Sequence, residues 1–356
     1  MQQLLVAGRY RLLDLVGSGG MGRVWLARDE MLHRDVAVKE VVPPNWLAES
    51  EREELRLRTL REARTAARLN HPNVVRIYDV VHDRDSPWIV MEYVPSRSVQ
   101  QILGTDGPLE PGRVAEIGLA VLAALRAAHA AGVLHRDVKP HNVLVADDGR
   151  VVLTDFGLAT FDGGDGLMTG PGLVLGSPQF VAPERAREGV SNPRTDLWSL
   201  GATLHAAVEG QSPYARASAM ATLSALATEP PDPALRAGPL RPVLDGLLQR
   251  DPARRLTAAQ VEPLLRAALP DPAALPVAGR GPRHLVPALD AAPPPGRSAD
   301  PAPATGPAPH GRRRMLVAAG AAAVTLLASA GVALALRDTG GGGTPSAPGS
   351  GGGKSE

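Results

Sequence analysis

The sequence predicts an α+β chain of two unequal lobes, a small β-rich one followed by a larger helical one, with a tail of different character behind them. Three observations predict it. Short runs rich in Val, Leu, Ile and Trp, bounded by turn residues, cluster before residue 95, and that pattern marks strands. From Arg113 onward, alanine-rich sequence carries apolar residues at helical spacing. Near residue 270 the composition changes abruptly: 12 of the 42 residues from Pro270 to Gly311 are proline.

At 356 residues the chain exceeds one ordinary compact domain and has room for a large two-lobed one plus extras. Its 38 basic and 37 acidic side chains give a net charge of +1, which leaves no basic surplus to argue for a nucleic-acid partner. There is no cysteine, hence no disulfide framework, thiolate metal site or cysteine nucleophile. Met1 to Gly8 has no basic region ahead of a long apolar run, which argues against a cleaved signal peptide.

The small lobe begins with Tyr10 to Val16 as a strand, and Val24 to Ala27 as its return. Between them Gly17, Gly19 and Gly22 give the spacing G-x-G-x-x-G. Placed between two strands, this is a hairpin lid rather than the strand-to-helix turn of a dinucleotide fold. Without side chains its amides can approach a phosphate; read alone, it is equally a glycine turn with no ligand. Val36-Ala37-Val38-Lys39 is an apolar strand ending in a cation that faces the space beneath the lid. A helix from about Ser50 to Leu69 follows, with Glu51, Glu53, Glu54 and Glu62, residues that also suit a solvated face. Trp88 to Val94 is a further apolar strand running into a polar break.

In the large lobe, Arg113 to Ala131 places Val114, Ile117, Val121, Leu122 and Leu125 on one helix face, with Gly132 as the C-terminal cap. His135-Arg136-Asp137-Val138-Lys139-Pro140-His141-Asn142 comes next, and Asp155-Phe156-Gly157 begins 13 residues after Asn142. One short loop thus carries a proton acceptor, a cation and an amide oxygen, with a second carboxylate on the next. Moving the γ-phosphoryl group of ATP to a hydroxyl needs such groups, one to orient the attacking oxygen and others to hold Mg²⁺ on the phosphates.

In these motifs the chain resembles the protein kinases, and specifically the eukaryotic-like Ser/Thr kinases of bacteria, over about residues 8–269. The resemblance implies the two-lobed kinase fold, with ATP and Mg²⁺ as the compounds bound and protein Ser/Thr hydroxyls as acceptors. It implies that Asp137 takes the hydroxyl proton, Lys139 neutralises the γ-phosphate, and Asn142 and Asp155 ligate Mg²⁺. Lys39 would hold the α- and β-phosphates and pair with Glu62. Met91 would lie behind the adenine, the backbone of Glu92 to Val94 along its edge, and Val16, Val24, Ala37 and Leu144 around it. Plain core packing serves these apolar side chains equally well. Lys139-Pro140 points to Ser/Thr rather than Tyr acceptors.

Gly176 to Glu184 resembles the substrate-docking loop of the family, with Ser177 where threonine is usual. The resemblance gives Glu184 a buried partner in Arg255, with Arg254 a rival because Leu256 replaces the usual proline. It makes Asp196 an anchor of the catalytic-loop backbone and Arg136 a dock for a phosphorylated loop residue, Thr169 first and Thr160 second. Dimers through the small lobe, with phosphorylation in trans, belong to the same expectation.

The proline-rich segment 270–311 reads as a disordered linker. Arg312-Arg313-Arg314 precedes 22 uncharged residues, Met315 to Leu336. As a helix these would extend about 33 Å, enough to cross a ~30 Å hydrocarbon core. The arginines put residues 1–311 on the cytoplasmic side and the short Gly/Ser tail 337–356 outside. A second function class stays open, a membrane-tethered pseudokinase scaffold, although Lys39, Asp137 and Asp155 are all present. A small-molecule phosphotransferase is disfavoured by the docking loop ending at Glu184.

Overall fold

The computed structural model describes residues 4–19, 22–42, 48–83, 86–156 and 177–270. All belong to the first of two units into which the chain divides, Met1–Gly281 and Pro282–Glu356. The linker, the apolar segment 315–336, the tail, and Thr160 and Thr169 therefore lie outside the described residues.

The small lobe is an antiparallel sheet of six strands in the order β1-β2-β3-β4-β6-β5. These are β1 (Leu5–Val6), β2 (Tyr10–Gly19), β3 (Gly22–Asp29), β4 (Arg34–Val41), β5 (Ile77–Asp83) and β6 (Ser86–Glu92). Strand β2 runs on past Val16 through the glycine cluster, so that Gly17 pairs with Val24 and Gly19 with Gly22. Helix α1 (Glu49–Ala66) packs against β5 and β6, burying Leu60 and Ala63 and leaving most of its charged side chains outward. Its Thr59 hydroxyl donates to the carbonyl of Leu55, which keeps that buried polar atom partnered.

Two apolar clusters fill the small lobe because alternate residues of a strand face opposite sides. Val36, Val38 and Val90 pack with Tyr10, Leu12 and Trp88 on one side. Ala37, Val41, Ile89 and Met91 pack with Val75, Val94 and Val152 on the other. The second cluster carries Lys39 to its site, since β4 register sets Lys39 between Val24 of β3 and Ile89 of β6.

The large lobe is helical around α3 (Pro111–Ala130), which packs against α5 (Pro193–Glu209) and α8 (Ala258–Ala267). Val114, Ile117, Val121 and Leu125 of α3 are all essentially inaccessible. Proline at the first position starts α3 without losing a backbone bond. The helix ends at Gly132, whose φ of 74° is cheap only for glycine. A small sheet of β7 (Ser96–Ser98), β8 (Val143–Ala146) and β9 (Val151–Leu153) lies between the lobes, with α2 (Val99–Thr105) starting directly from β7. The remaining helices are α4 (Pro183–Glu188), α6 (Ala219–Thr228) and α7 (Arg241–Leu247). No helix among the described residues is long and apolar enough to cross a membrane.

Candidate active site

The loop after α3 is fixed from below by one carboxylate. Asp196, in the first turn of α5, accepts from the backbone N–H of His135 at 2.9 Å and of Arg136 at 2.8 Å, and from His129 Nε2 at 2.8 Å. Burial works to raise its pKa, but these donors outweigh it and hold the carboxyl below the usual range. The clamp also holds Arg136 at φ 67°, a conformation that costs a non-glycine residue of order 1–3 kcal/mol. Arg185 of α4 donates to the Arg136 carbonyl from the other side.

His135 ties this loop to the next one. The Asp137 N–H donates to His135 Nδ1 at 3.2 Å, so Nε2 carries the proton and donates to the Thr154 carbonyl at 2.9 Å. Burial lowers the His135 pKa and keeps the ring neutral, as this pair of bonds requires. Its ring lies 4.5 Å from that of Phe156.

Asp137, Lys139 and Asn142 form one bonded group. Lys139 Nζ is 2.8 Å from Asp137 Oδ2, and Asn142 Nδ2 donates to the Asp137 carbonyl at 2.8 Å and to its Oδ2 at 3.0 Å. With its nitrogen so engaged, Asn142 has its amide oxygen left for a ligand. The Thr154 N–H donates to the Asn142 carbonyl at 3.0 Å, which sets Asp155 directly beside this group. Asp155 has φ 63°, and its Oδ1 is 2.8 Å from Lys39 Nζ. Burial pushes the Asp155 carboxyl up, yet the Lys39 ammonium prevails and its pKa is lowered.

Glu62 is engaged by two arginines. Among the described residues no ion pair joins it to Lys39; instead Arg136 Nη1 lies 2.6 Å and Arg58 Nε 3.3 Å from its Oε1. The reason is that Lys39 is turned to Asp155, while the left-handed backbone at Arg136 sends its guanidinium toward α1. Burial nevertheless raises the Glu62 pKa, against the two arginines.

Most of the expected adenine-pocket side chains fall together. Ala37, Met91 and Val94 belong to one buried cluster, with Val24 and Leu144 packed against it. Val16 does not join them: it is 52% exposed, because β2 bulges between Leu15 and Gly17. The Glu92 carboxylate pairs with Arg150 at 2.6 Å and its N–H with the Arg76 carbonyl at 2.8 Å. Gly17 faces open space, where a side chain would meet nothing. Gly22 is required for a different reason than phosphate approach. At φ 137°, a Cβ there would stand 1.8 Å from the Glu40 carbonyl oxygen.

Glu184 and Arg255 form a buried bidentate pair at 2.7 and 3.0 Å. Arg255 also donates to the carbonyls of Gln249 and Arg194, and its guanidinium lies over the Trp198 ring. Arg254 is 80% exposed and 3.9 Å from Asp251, so the geometry selects Arg255. Sequence reasoning did not reach the roles of His129, Arg150 and Arg185, whose partners lie 49 to 67 residues away with no local pattern to mark them.

The chain belongs to the protein kinase family: the model of the protein kinase domain matches residues 10–263. It is 37% identical over 215 residues to the serine/threonine-protein kinase PrkC of Bacillus subtilis, covering 60% of this chain and 32% of that one. It is 40% identical over 213 residues to PknB of Mycobacterium leprae, covering 59% and 34%. To PknB of Mycolicibacterium smegmatis it is 38% identical over 268 residues, covering 72% and 42%. The matched region thus spans less than half the length of each of these relatives.

Proposed function

We propose that the chain is a Ser/Thr protein kinase, transferring the γ-phosphate of ATP to serine and threonine hydroxyls of proteins. The observation that carries this is the bonded group of Asp137, Lys139 and Asn142, set by the Thr154–Asn142 hydrogen bond beside Asp155 and Lys39. Asp137 orients the acceptor hydroxyl and takes its proton; Lys139, 2.8 Å from that carboxylate, neutralises charge on the transferring group. Lys39 holds the nucleotide phosphates, and the apolar cluster around Ala37 and Met91 receives the base.

The amide oxygen of Asn142 and the carboxylate of Asp155 are hard oxygen donors, the set that suits Mg²⁺ shared with phosphates. When bound, the ion supplies charge neutralisation on the phosphate oxygens. The Lys39–Asp155 and Arg136–Glu62 pairs describe a resting arrangement in this reading. Nucleotide entry exchanges them, giving Lys39 to the phosphates and to Glu62.

Arg312 to Arg314 followed by the uncharged stretch 315–336 supports anchoring by a single span, with residues 8–269 as the cytoplasmic kinase domain. Clustering in the membrane would then favour phosphorylation in trans, at Thr169 first and Thr160 second. The test is phosphoamino-acid analysis of a Ser-, Thr- and Tyr-containing protein acceptor incubated with the full chain, Mg²⁺ and labelled ATP. Phosphoserine and phosphothreonine without phosphotyrosine are expected. Label on tyrosine alone, or label undiminished in Asp155→Asn, would overturn the reading.

A further inference from the structure

The chain leaves the small lobe through Tyr93, Val94 and Pro95, the residues between β6 and β7. Glu92 ends β6 directly after Met91, and successive strand residues face opposite sides. Met91 belongs to the apolar cluster that would take the base. The Glu92 side chain points out of that cluster and meets Arg150, 58 residues further on, with Oε1 2.6 Å from Nη2. The carboxylate is also tied to its own lobe. Its Oε2 accepts from the Arg76 N–H at 3.4 Å, and the Glu92 N–H donates to the Arg76 carbonyl at 2.8 Å.

Arg150 stands on a tight turn between β8 and β9, with Gly149 at φ 88°. The Arg150 N–H donates to Asp148 Oδ1 at 2.9 Å, and its carbonyl accepts from the Ala146 N–H at 2.8 Å. The same turn takes a second hold on the connecting segment, because the Asp147 N–H donates to the Pro95 carbonyl at 3.0 Å. One turn thus grips the chain at Glu92 and at Pro95, with only Tyr93 and Val94 between.

Val94 gives those two holds a purpose. The residue is 8% exposed, and its backbone N–H has no hydrogen-bond partner among the described residues, although its carbonyl accepts from Ser96 Oγ at 2.8 Å. A buried N–H without a partner is rare in folded proteins and marks a donor kept for something bound. Such a donor discriminates between purines by what their edges offer: adenine has an acceptor at N1, where guanine has a hydrogen. Discrimination by one hydrogen bond is only as good as the placement of the donor.

Resting on the kinase reading of the site, we propose that Arg150 is a positioning residue for the nucleotide base. Acting through Glu92, it fixes the Tyr93–Val94 backbone and with it the preference for adenine over guanine. The Glu92–Arg150 contact is a single Nη2–Oε1 one, so a lysine ammonium can stand in for the guanidinium.

The experiment compares the full chain with Arg150→Gln, Arg150→Lys and a control, Arg97→Gln, whose ion pair with Asp106 is exposed on the adjoining β7. Affinities for ATP and GTP with Mg²⁺ are measured by calorimetry, and kcat at saturating ATP with a Ser- and Thr-containing protein acceptor. Without nucleotide, amide hydrogen exchange is followed by mass in peptides covering residues 89–98. Arg150→Gln should weaken ATP about fivefold and GTP less than about twofold, with kcat held within about twofold. Exchange in the 89–98 peptides should quicken about fivefold in the same variant. Arg150→Lys should recover most of both losses, and Arg97→Gln should match wild type. Equal weakening of the two nucleotides, or an unchanged ratio of their affinities, would overturn the proposal and leave the kinase reading standing. Faster exchange in Arg150→Gln with no nucleotide bound by the wild type would defeat the kinase reading, and the adenine preference with it.

Discussion

Glu62 accepts a hydrogen bond from Arg136, 2.6 Å from Nη1 to Oε1, and the two residues are 74 positions apart in the chain. The bond links helix α1 of the small lobe to the loop that carries Asp137, while Lys39 is held by Asp155 at 2.8 Å. Two ion pairs, each joining residues distant in sequence, thus set the state of the site. In the proposed exchange Glu62 leaves Arg136 for Lys39.

A double-mutant cycle with Glu62→Gln and Arg136→Lys reads this link directly. Without nucleotide, urea unfolding should give a coupling of about 1–2 kcal/mol, the size found for residues in one network. With saturating Mg²⁺ and ATP it should fall below about 0.5 kcal/mol, because Glu62 has changed partners. Equal coupling in both conditions would mean that the pair does not exchange.

Lys39 acts on Asp155 through charge, opposing the burial that pushes the carboxyl up. Lys39→Met removes that opposition, so the Asp155 carboxyl should titrate at higher pH, followed by carboxyl NMR. The same variant should lose about 10²–10³ in kcat, the scale of removing one preorganised electrostatic group. Nucleotide affinity, to which the apolar cluster also contributes in the proposed reading, should change less.

Stability of the large lobe depends on Glu184 and Arg255. The Arg255 side chain is fully buried, its bidentate partner nearly so. Arg255→Met leaves the carboxylate buried and unpaired, which should cost about 3–5 kcal/mol in chemical denaturation. Arg254→Met, at an exposed position, should stay within about 0.5 kcal/mol of wild type.

Asp196 predicts a pH dependence. Its folded pKa is depressed, so its contribution is complete above the unfolded value of about 3.9 and is lost as pH falls through the lower folded value. The stability gap between wild type and Asp196→Asn should therefore be constant from pH 7 to about pH 5 and close below about pH 4. A gap that widens on acidification would reverse the sign of the effect.

What was legible in the sequence was what is contiguous. Asp137, Lys139 and Asn142 lie within six residues of one another, so their chemistry could be read without knowing the fold. Lys39 was legible for the same reason, since it directly follows the apolar run Val36 to Val38 on one strand, β4. Resemblance to a family carried the distant pairs, and it served for Glu184 with Arg255 because burial leaves one geometry. For Glu62 the partner depends on the position of α1, a tertiary variable that no local pattern encodes, and in this structure that partner is Arg136. The bulge that exposes Val16 and the carbonyl that forbids a Cβ at Gly22 are likewise set by cross-strand register.

The most direct test is intact-mass analysis of the full chain incubated with Mg²⁺ and ATP, wild type beside Asp137→Asn, followed by peptide mapping. Added phosphate on Ser or Thr residues is expected in the wild type and none in the variant, with nucleotide bound by both. Equal incorporation in the two proteins, or none in either at concentrations that favour encounter between copies, would contradict it.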